Sequence, residues 1–153
     1  MNSRAHRWVQ RACFIPGLAL ASCIQVDGGA VELSWTVRQI DGKKDVDCAR
    51  GTDVIQDVQI CARACTVVVD GACVGEAVCP VHAWPCDRFH GSTRFEITSG
   101  RKELWIQVTC ANGAVPNVVV PEPILRDIAD GEVTQLNAVL ISVPVDGPAC
   151  PSP

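Results

Sequence analysis

Apolar and polar residues alternate from Val31 onward: Val31, Leu33, Trp35 and Val37 fall on one side, Glu32, Ser34, Thr36 and Arg38 on the other. A period of two places successive side chains on opposite faces of a pleated strand, so this segment predicts a half-buried strand. Asp41-Gly42-Lys43-Lys44 then reads as a turn. Val54 to Ile60 and Thr66 to Val69 are rich in β-branched residues and predict two further strands, with Asp70-Gly71 stopping the second. Phe95 and Ile97 alternate with Arg94, Glu96 and Thr98, and Ser99-Gly100-Arg101 turns the chain. Leu104, Ile106 and Val108 alternate with Trp105, Gln107 and Thr109, and Asn112-Gly113 follows as a hairpin signal because both residues tolerate positive φ. Val115 to Val120 closes on Pro121 and Pro123, which suit a strand end. After a turn at Asp130-Gly131, Val133 to Val143 supplies the last strand or strand pair, with Val139, Ile141 and Val143 on one face.

Residues 72–92 break the pattern. They are rich in cysteine, contain Pro80 and Pro85, and predict an irregular loop. No segment after the first 22 residues keeps a helical period. About seven short strands separated by turns imply an all-β chain folded as a single antiparallel sandwich.

The beginning of the chain follows a different logic. Arg4, His6, Arg7 and Arg11 form a basic region, Ala12 to Ala21 is short and mostly apolar, and small residues precede Cys23. That is the layout of a secretory signal peptide over residues 1–22. Leu20-Ala21-Ser22-Cys23 resembles the lipobox of bacterial lipoproteins at all four positions. The resemblance implies cleavage before Cys23 and acylation of that cysteine, with palmitate among the attached chains. Two or three acyl chains, at about 0.8 kcal/mol per buried CH₂, anchor stably where one holds only marginally. Ile24 in place of Asp, by resemblance to Gram-negative lipoprotein sorting, implies the outer membrane. The expected organisation is therefore a signal-peptide helix at 1–22, a lipidated N-terminus and tether at 23–29, a sandwich domain at 30–144 and a Pro-rich tail at 145–153.

The 153-residue chain has a formal net charge of −4, with 13 basic and 17 acidic residues. Removing residues 1–22 takes away Arg4, Arg7 and Arg11 and no acidic residue, leaving 10 basic against 17 acidic, a net of −7. An acidic domain without a basic stripe does not neutralise phosphates, which argues against nucleic acid as a partner. It is also repelled by anionic headgroups, so attachment to a membrane falls to the lipid.

Of the ten cysteines, Cys13 leaves with the leader and Cys23 takes the lipid. Cys48, Cys61, Cys65, Cys73, Cys79, Cys86, Cys110 and Cys150 remain, an even set that in an exported chain reads as a disulfide framework. Roughly a hundred pairings are open to eight cysteines. Cys61 and Cys65 on one regular strand lie about 13 Å apart, beyond the roughly 7 Å a disulfide tolerates, so each pairs elsewhere. Cys48 with Cys86, which joins the two ends of the middle section, is the pairing favoured here. The rival use of this stretch is a metal or redox site: Cys79, His82, Cys86 and His90 fall within twelve residues and are all competent zinc ligands. The chain lacks a CxxC pair, however, and an oxidising compartment favours disulfides.

Catalytic motifs are sparse. The chain contains no GxSxG, HExxH or P-loop sequence, and no carboxylate stands out to orient His82 or His90 towards Ser92. The expectation is a non-enzymatic protein without a cofactor. Trp35 lies on the apolar face of its strand and predicts core. Trp105 faces away from Leu104 and Ile106, as cover for the outer face or as a contact. Trp84, between Ala83 and Pro85, either caps the open end of the core or serves as a recognition residue on the loop.

From residue 30 the chain resembles a group of Gram-negative lipoproteins with an immunoglobulin-like or transthyretin-like (carboxypeptidase-regulatory-like) sandwich. The matching stretches are Val31-Glu32-Leu33-Ser34-Trp35-Thr36-Val37, Trp84-Pro85-Cys86 and Asp130-Gly131-Glu132-Val133-Thr134-Gln135-Leu136. The cysteines between Cys61 and Cys79 are extra to that pattern. The resemblance implies a module of the cell envelope, attached to the membrane by lipid and acting on another envelope protein or polymer, and it carries no enzymatic activity with it.

Overall fold

The computed structural model describes residues 26–50, 53–69 and 72–152. The leader, the lipobox, Cys23 and the Asp70-Gly71 turn lie outside the described residues. Among the described residues ten strands are present in chain order: β1 (Ala30–Gln39), β2 (Ala49–Arg50), β3 (Asp53–Ala64), β4 (Val67–Val69), β5 (Ala72–Val74), β6 (Ala77–Pro85), β7 (His90–Ser92), β8 (Gly100–Cys110), β9 (Ile124–Ile128) and β10 (Val133–Val143). The helical content among the described residues is one 3₁₀ turn at Cys86–Arg88. The all-β expectation is met. Among the described residues the count is ten where the alternation suggested about seven: β4 falls in the expected Thr66 to Val69 segment, while β2, β5 and β7 are only two or three residues long and carry too little sequence to show a period.

Two sheets enclose the core. One has the order β10-β1-β7; the other has the order β2-β3-β8-β9, with β6 also paired to β3. β4 and β5 form a separate two-stranded ribbon. Val31, Leu33, Trp35 and Val37 of β1 and Ile141 and Val143 of β10 are buried against Val58, Ile60, Leu104 and Ile106 of the second sheet. The β1 alternation thus does what its period requires. Trp35 is buried, and its indole N–H donates to the Cys86 carbonyl at 2.7 Å, so the ring enters the core without an orphaned donor.

The sheets are not wholly antiparallel as expected: β1 and β10 run parallel, from Ala30 opposite Val133 to Gln39 opposite Val143. An antiparallel pair can be closed by a short turn, whereas a parallel pair needs a crossover. Here the crossover is nearly the whole domain, so no local turn signal announces it. The register shifts between Glu32 and Ser34, where β10 advances from Gln135 to Ala138, and Asn137 takes up the extra residue at φ 63°.

Several local expectations are corrected. The 72–92 stretch is largely regular. β6 lies antiparallel along β3 and tolerates Pro80 and Pro85 because β3 is its one strand partner among the described residues, leaving it at an edge. Phe95 to Ile97 is a turn and not a strand, although Ile97 is buried and bridges Gly29. Val115 to Val120 is irregular too: Val115 is 83 % exposed and only Val119 bridges, to Ser142. An apolar run without a strand partner gains nothing from an extended backbone. Asn112-Gly113 does turn, with the Gly113 N–H on the Cys110 carbonyl at 3.0 Å, but β8 pairs with β9 and the segment after the turn does not fold back as a hairpin.

Four disulfides brace this frame: Cys48–Cys86, Cys61–Cys79, Cys65–Cys73 and Cys110–Cys150. Cys48 has its expected partner, and Cys61 and Cys65 pair elsewhere, as the strand spacing required. The tail is held by more than its cysteine. The Asp53 carboxylate accepts the Ala149 N–H at 3.0 Å and the Cys150 N–H at 2.6 Å, and both residues are buried.

Candidate functional site

The inner face of β8 runs Lys102, Leu104, Ile106, Val108 and Cys110, all buried. Four of these are apolar. The first is a lysine, 7 % exposed, and with Thr93 it is one of two buried polar residues among those described. The same alternation that identifies Leu104, Ile106 and Val108 as core extends two residues back to Lys102. That extension was the available signal, and the sequence reading stopped short of it.

Lys102 lies at the end of the sheet on the wall of a cleft of about 230 Å³. Ala62 of β3, Val78 and Val81 of β6 and Ile97 form its apolar walls, while Glu76, Glu96 and Thr98 supply its other polar groups. The Lys102 ammonium donates to the Thr98 hydroxyl at 2.8 Å. The ion pairs among the described residues are Arg38–Asp45, Lys43–Asp41, Arg63–Glu103 and His82–Glu96, so none of the described carboxylates lies within 4.0 Å of Lys102. Across the β8–β9 ladder Lys102 stands directly opposite Arg126. Directly opposed like charges repel, and a buried ammonium without a counter-ion is costly. Arg126 turns its guanidinium to its neighbour, the Leu125 carbonyl, at 2.9 Å.

The strand ends explain why these groups meet. Gly29 and Ile97 exchange backbone hydrogen bonds at 2.8 and 3.3 Å, which places the entry of the chain from its N-terminal side beside the cleft. Gly29 is needed there, since a Cβ would lie 2.5 Å from the Ile128 side chain and 2.6 Å from the Ala129 carbonyl. His82 of β6 contacts a wall residue of the cleft, its Nδ1 3.3 Å from Glu96.

The residues singled out in the sequence do not assemble into one site. Trp84 is 4 % exposed, packed against Gly91 and with its ring 6.1 Å from that of Trp35. It is a core residue, and the recognition role is corrected: an indole buried between two sheets presents no surface to a partner. Trp105 is half-buried on the outer face, with the Arg63 guanidinium 5.5 Å above its ring. The quartet Cys79, His82, Cys86 and His90 is likewise not a thiolate cluster. Cys79 is bonded to Cys61 and Cys86 to Cys48, and a disulfide sulfur is not the thiolate that binds zinc. Among the described residues no group of three or more His, Cys, Asp and Glu is placed to hold a metal ion. His90 Nδ1 lies 3.0 Å from the Arg88 carbonyl, and the Ser92 hydroxyl donates to the Thr93 carbonyl at 3.2 Å.

Comparison with protein families, with curated proteins and with solved structures gives no match. The cleft therefore has to be interpreted from its own chemistry: an apolar recess with one buried cation at its end and two carboxylates on its walls.

Proposed function

We propose that this chain is an exported, lipid-anchored protein of the Gram-negative cell envelope, whose disulfide-braced domain is a non-enzymatic binding module. The observation that carries the reading is the cysteine accounting. All eight cysteines after the lipobox are paired, in four disulfides, and Cys13 and Cys23 are the two left over. Disulfides form and persist in oxidising compartments, which fits passage out of the cytoplasm. The spare cysteines are the one in the leader and the one in the lipobox.

In this reading the fold is an immunoglobulin-like or transthyretin-like sandwich, supported by two sheets that share one core. Cys23 lies five positions before Gly28, so a lipid at Cys23 holds the cleft end of the domain within about 18 Å of the bilayer surface. The outer membrane is the destination that Ile24 favours. The module works by binding, with the Lys102 cleft as a small-molecule site, and requires neither a cofactor nor nucleic acid. A binding role is supported over a hydrolytic one by His90 and Ser92, each engaged with a main-chain carbonyl.

Radiolabelled palmitate fed to a Gram-negative host tests the anchor. Label is expected in the wild-type chain and not in Cys23→Ser, with no free thiol in the mature wild type. A full-length, unlabelled product in the cytosol with reduced cysteines overturns the proposal.

A further inference from the structure

We infer that the Lys102 cleft is a binding site for a small zwitterion with an apolar body, of the kind represented by a free aliphatic amino acid. The inference rests on the binding-module reading and names the ligand class of that same cleft. Three features specify the class. First, the Lys102 ammonium has three donors, and the Thr98 hydroxyl is its one hydrogen-bond partner among the described residues. The Lys102 residue is 7 % exposed, has no carboxylate among the described residues within 4.0 Å and faces Arg126 across the ladder. A ligand carboxylate there neutralises a buried charge and takes a charge-assisted hydrogen bond, the strong kind.

Second, the walls supply the opposite sign. Glu76 and Glu96 line the same cleft and are exposed, Glu96 with His82 Nδ1 at 3.3 Å, so both carboxylates are open to a cation. A simple anion entering the cleft is repelled by both. A molecule carrying an ammonium beside its carboxylate satisfies both ends. Third, Ala62, Ala64, Val78, Val81 and Ile97 form the remaining surface, which suits an aliphatic side chain and offers it no hydrogen-bonding side-chain group. A volume of about 230 Å³ admits one such molecule and not a folded partner.

Binding is measured on the purified chain with disulfides intact, by titration calorimetry and by amide chemical-shift changes, using leucine, leucinamide and N-acetyl-leucine as probes. Leucine is expected to bind and to shift the amides of residues 96–102. Leucinamide lacks the carboxylate and N-acetyl-leucine lacks the ammonium, and each is expected to bind at least about ten-fold more weakly, the weight of one lost charged contact. Lys102→Met is expected to abolish leucine binding while leaving Tm unchanged or higher, because it removes a buried unpaired charge at similar volume. Glu96→Gln, at an exposed position, is expected to weaken leucine several-fold without weakening N-acetyl-leucine, which has no ammonium for Glu96 to meet. Leucine that leaves residues 96–102 unshifted at 10-fold the concentration of any other responding probe, or leucinamide or N-acetyl-leucine that binds as tightly as leucine, overturns the inference. None of these results bears on palmitate incorporation at Cys23, so the anchor proposal stands or falls separately.

Discussion

Replacing Gly91 of β7 with alanine adds one methyl group against the Trp84 ring of β6. A Cβ at this position would lie 2.3 Å from Trp84 Cδ2, 2.4 Å from Cε2 and 2.8 Å from Cε3. Carbon atoms in contact prefer about 3.5–4.0 Å, so ring or strand must retreat by more than about 1 Å. The ring has little room: Trp35 stands behind it at 6.1 Å and His82 at 4.9 Å, centroid to centroid. β7 is pinned as well, with Gly91 paired to Leu33 of β1. Overpacking of this kind costs about 1–3 kcal/mol, and the rigidity of both partners argues for the middle of that range or above. For a domain of this size each kcal/mol lowers Tm by roughly 3–6 °C, so a drop of about 6–12 °C is expected. The measurement is calorimetric unfolding with all disulfides oxidised, repeated in a Trp84→Leu background. Trp84→Leu leaves a cavity and destabilises by itself, but it removes the atoms the new methyl meets. Gly91→Ala should then cost less than about 0.5 kcal/mol, a coupling of about 1.5 kcal/mol or more between the two sites. If Gly91→Ala is within about 0.5 kcal/mol of wild type in both backgrounds, the close approach of Trp84 to β7 is refuted.

Three further outcomes are expected. Replacing Cys48 and Cys86 together by serine opens a 38-residue loop, whereas replacing Cys65 and Cys73 opens one of 8. Chain entropy puts the losses at about 4 and about 2.5 kcal/mol, so guanidinium unfolding should rank the first pair as the more damaging, and a reversed order counts against it. Asp53→Ala removes the acceptor of two backbone N–H groups on the tail, at Ala149 and Cys150. A loss of about 2–3 kcal/mol and faster amide exchange at both residues should follow, and unchanged exchange would show that the Cys110–Cys150 bond alone holds the tail. Asn137 occupies the bulge at φ 63°, so Asn137→Gly should be neutral within about 0.5 kcal/mol and Asn137→Val should cost about 1–2 kcal/mol in the same unfolding assay; equal effects would place no strain there.

What the sequence by itself determined is local. Alternation around Val31 to Val37 and Leu104 to Val108 needs only neighbouring residues, and the structure places both runs in the core. The even count of cysteines after Cys23 depends on composition, and the 13 Å reach between Cys61 and Cys65 depends only on strand geometry. Extending the β8 alternation by two residues would have put Lys102 on the buried face as well. The tertiary structure decided what spans the chain. β10 lies parallel to β1, a pairing that spans almost the whole domain, so no turn between them records it. Val115 to Val120 has the composition of a strand but is left without a ladder, since hydrogen-bonding partners belong to the fold and not to the segment. Trp84 shows the same limit at a single residue. Its flanking prolines and cysteines suggest a loop, yet β3 takes that stretch as an edge strand and turns the indole inward against Gly91. The cleft, likewise, exists only where β3, β6, β8 and the Ile97 turn converge, which brings Lys102, Glu76 and Glu96 together from separate segments of the chain.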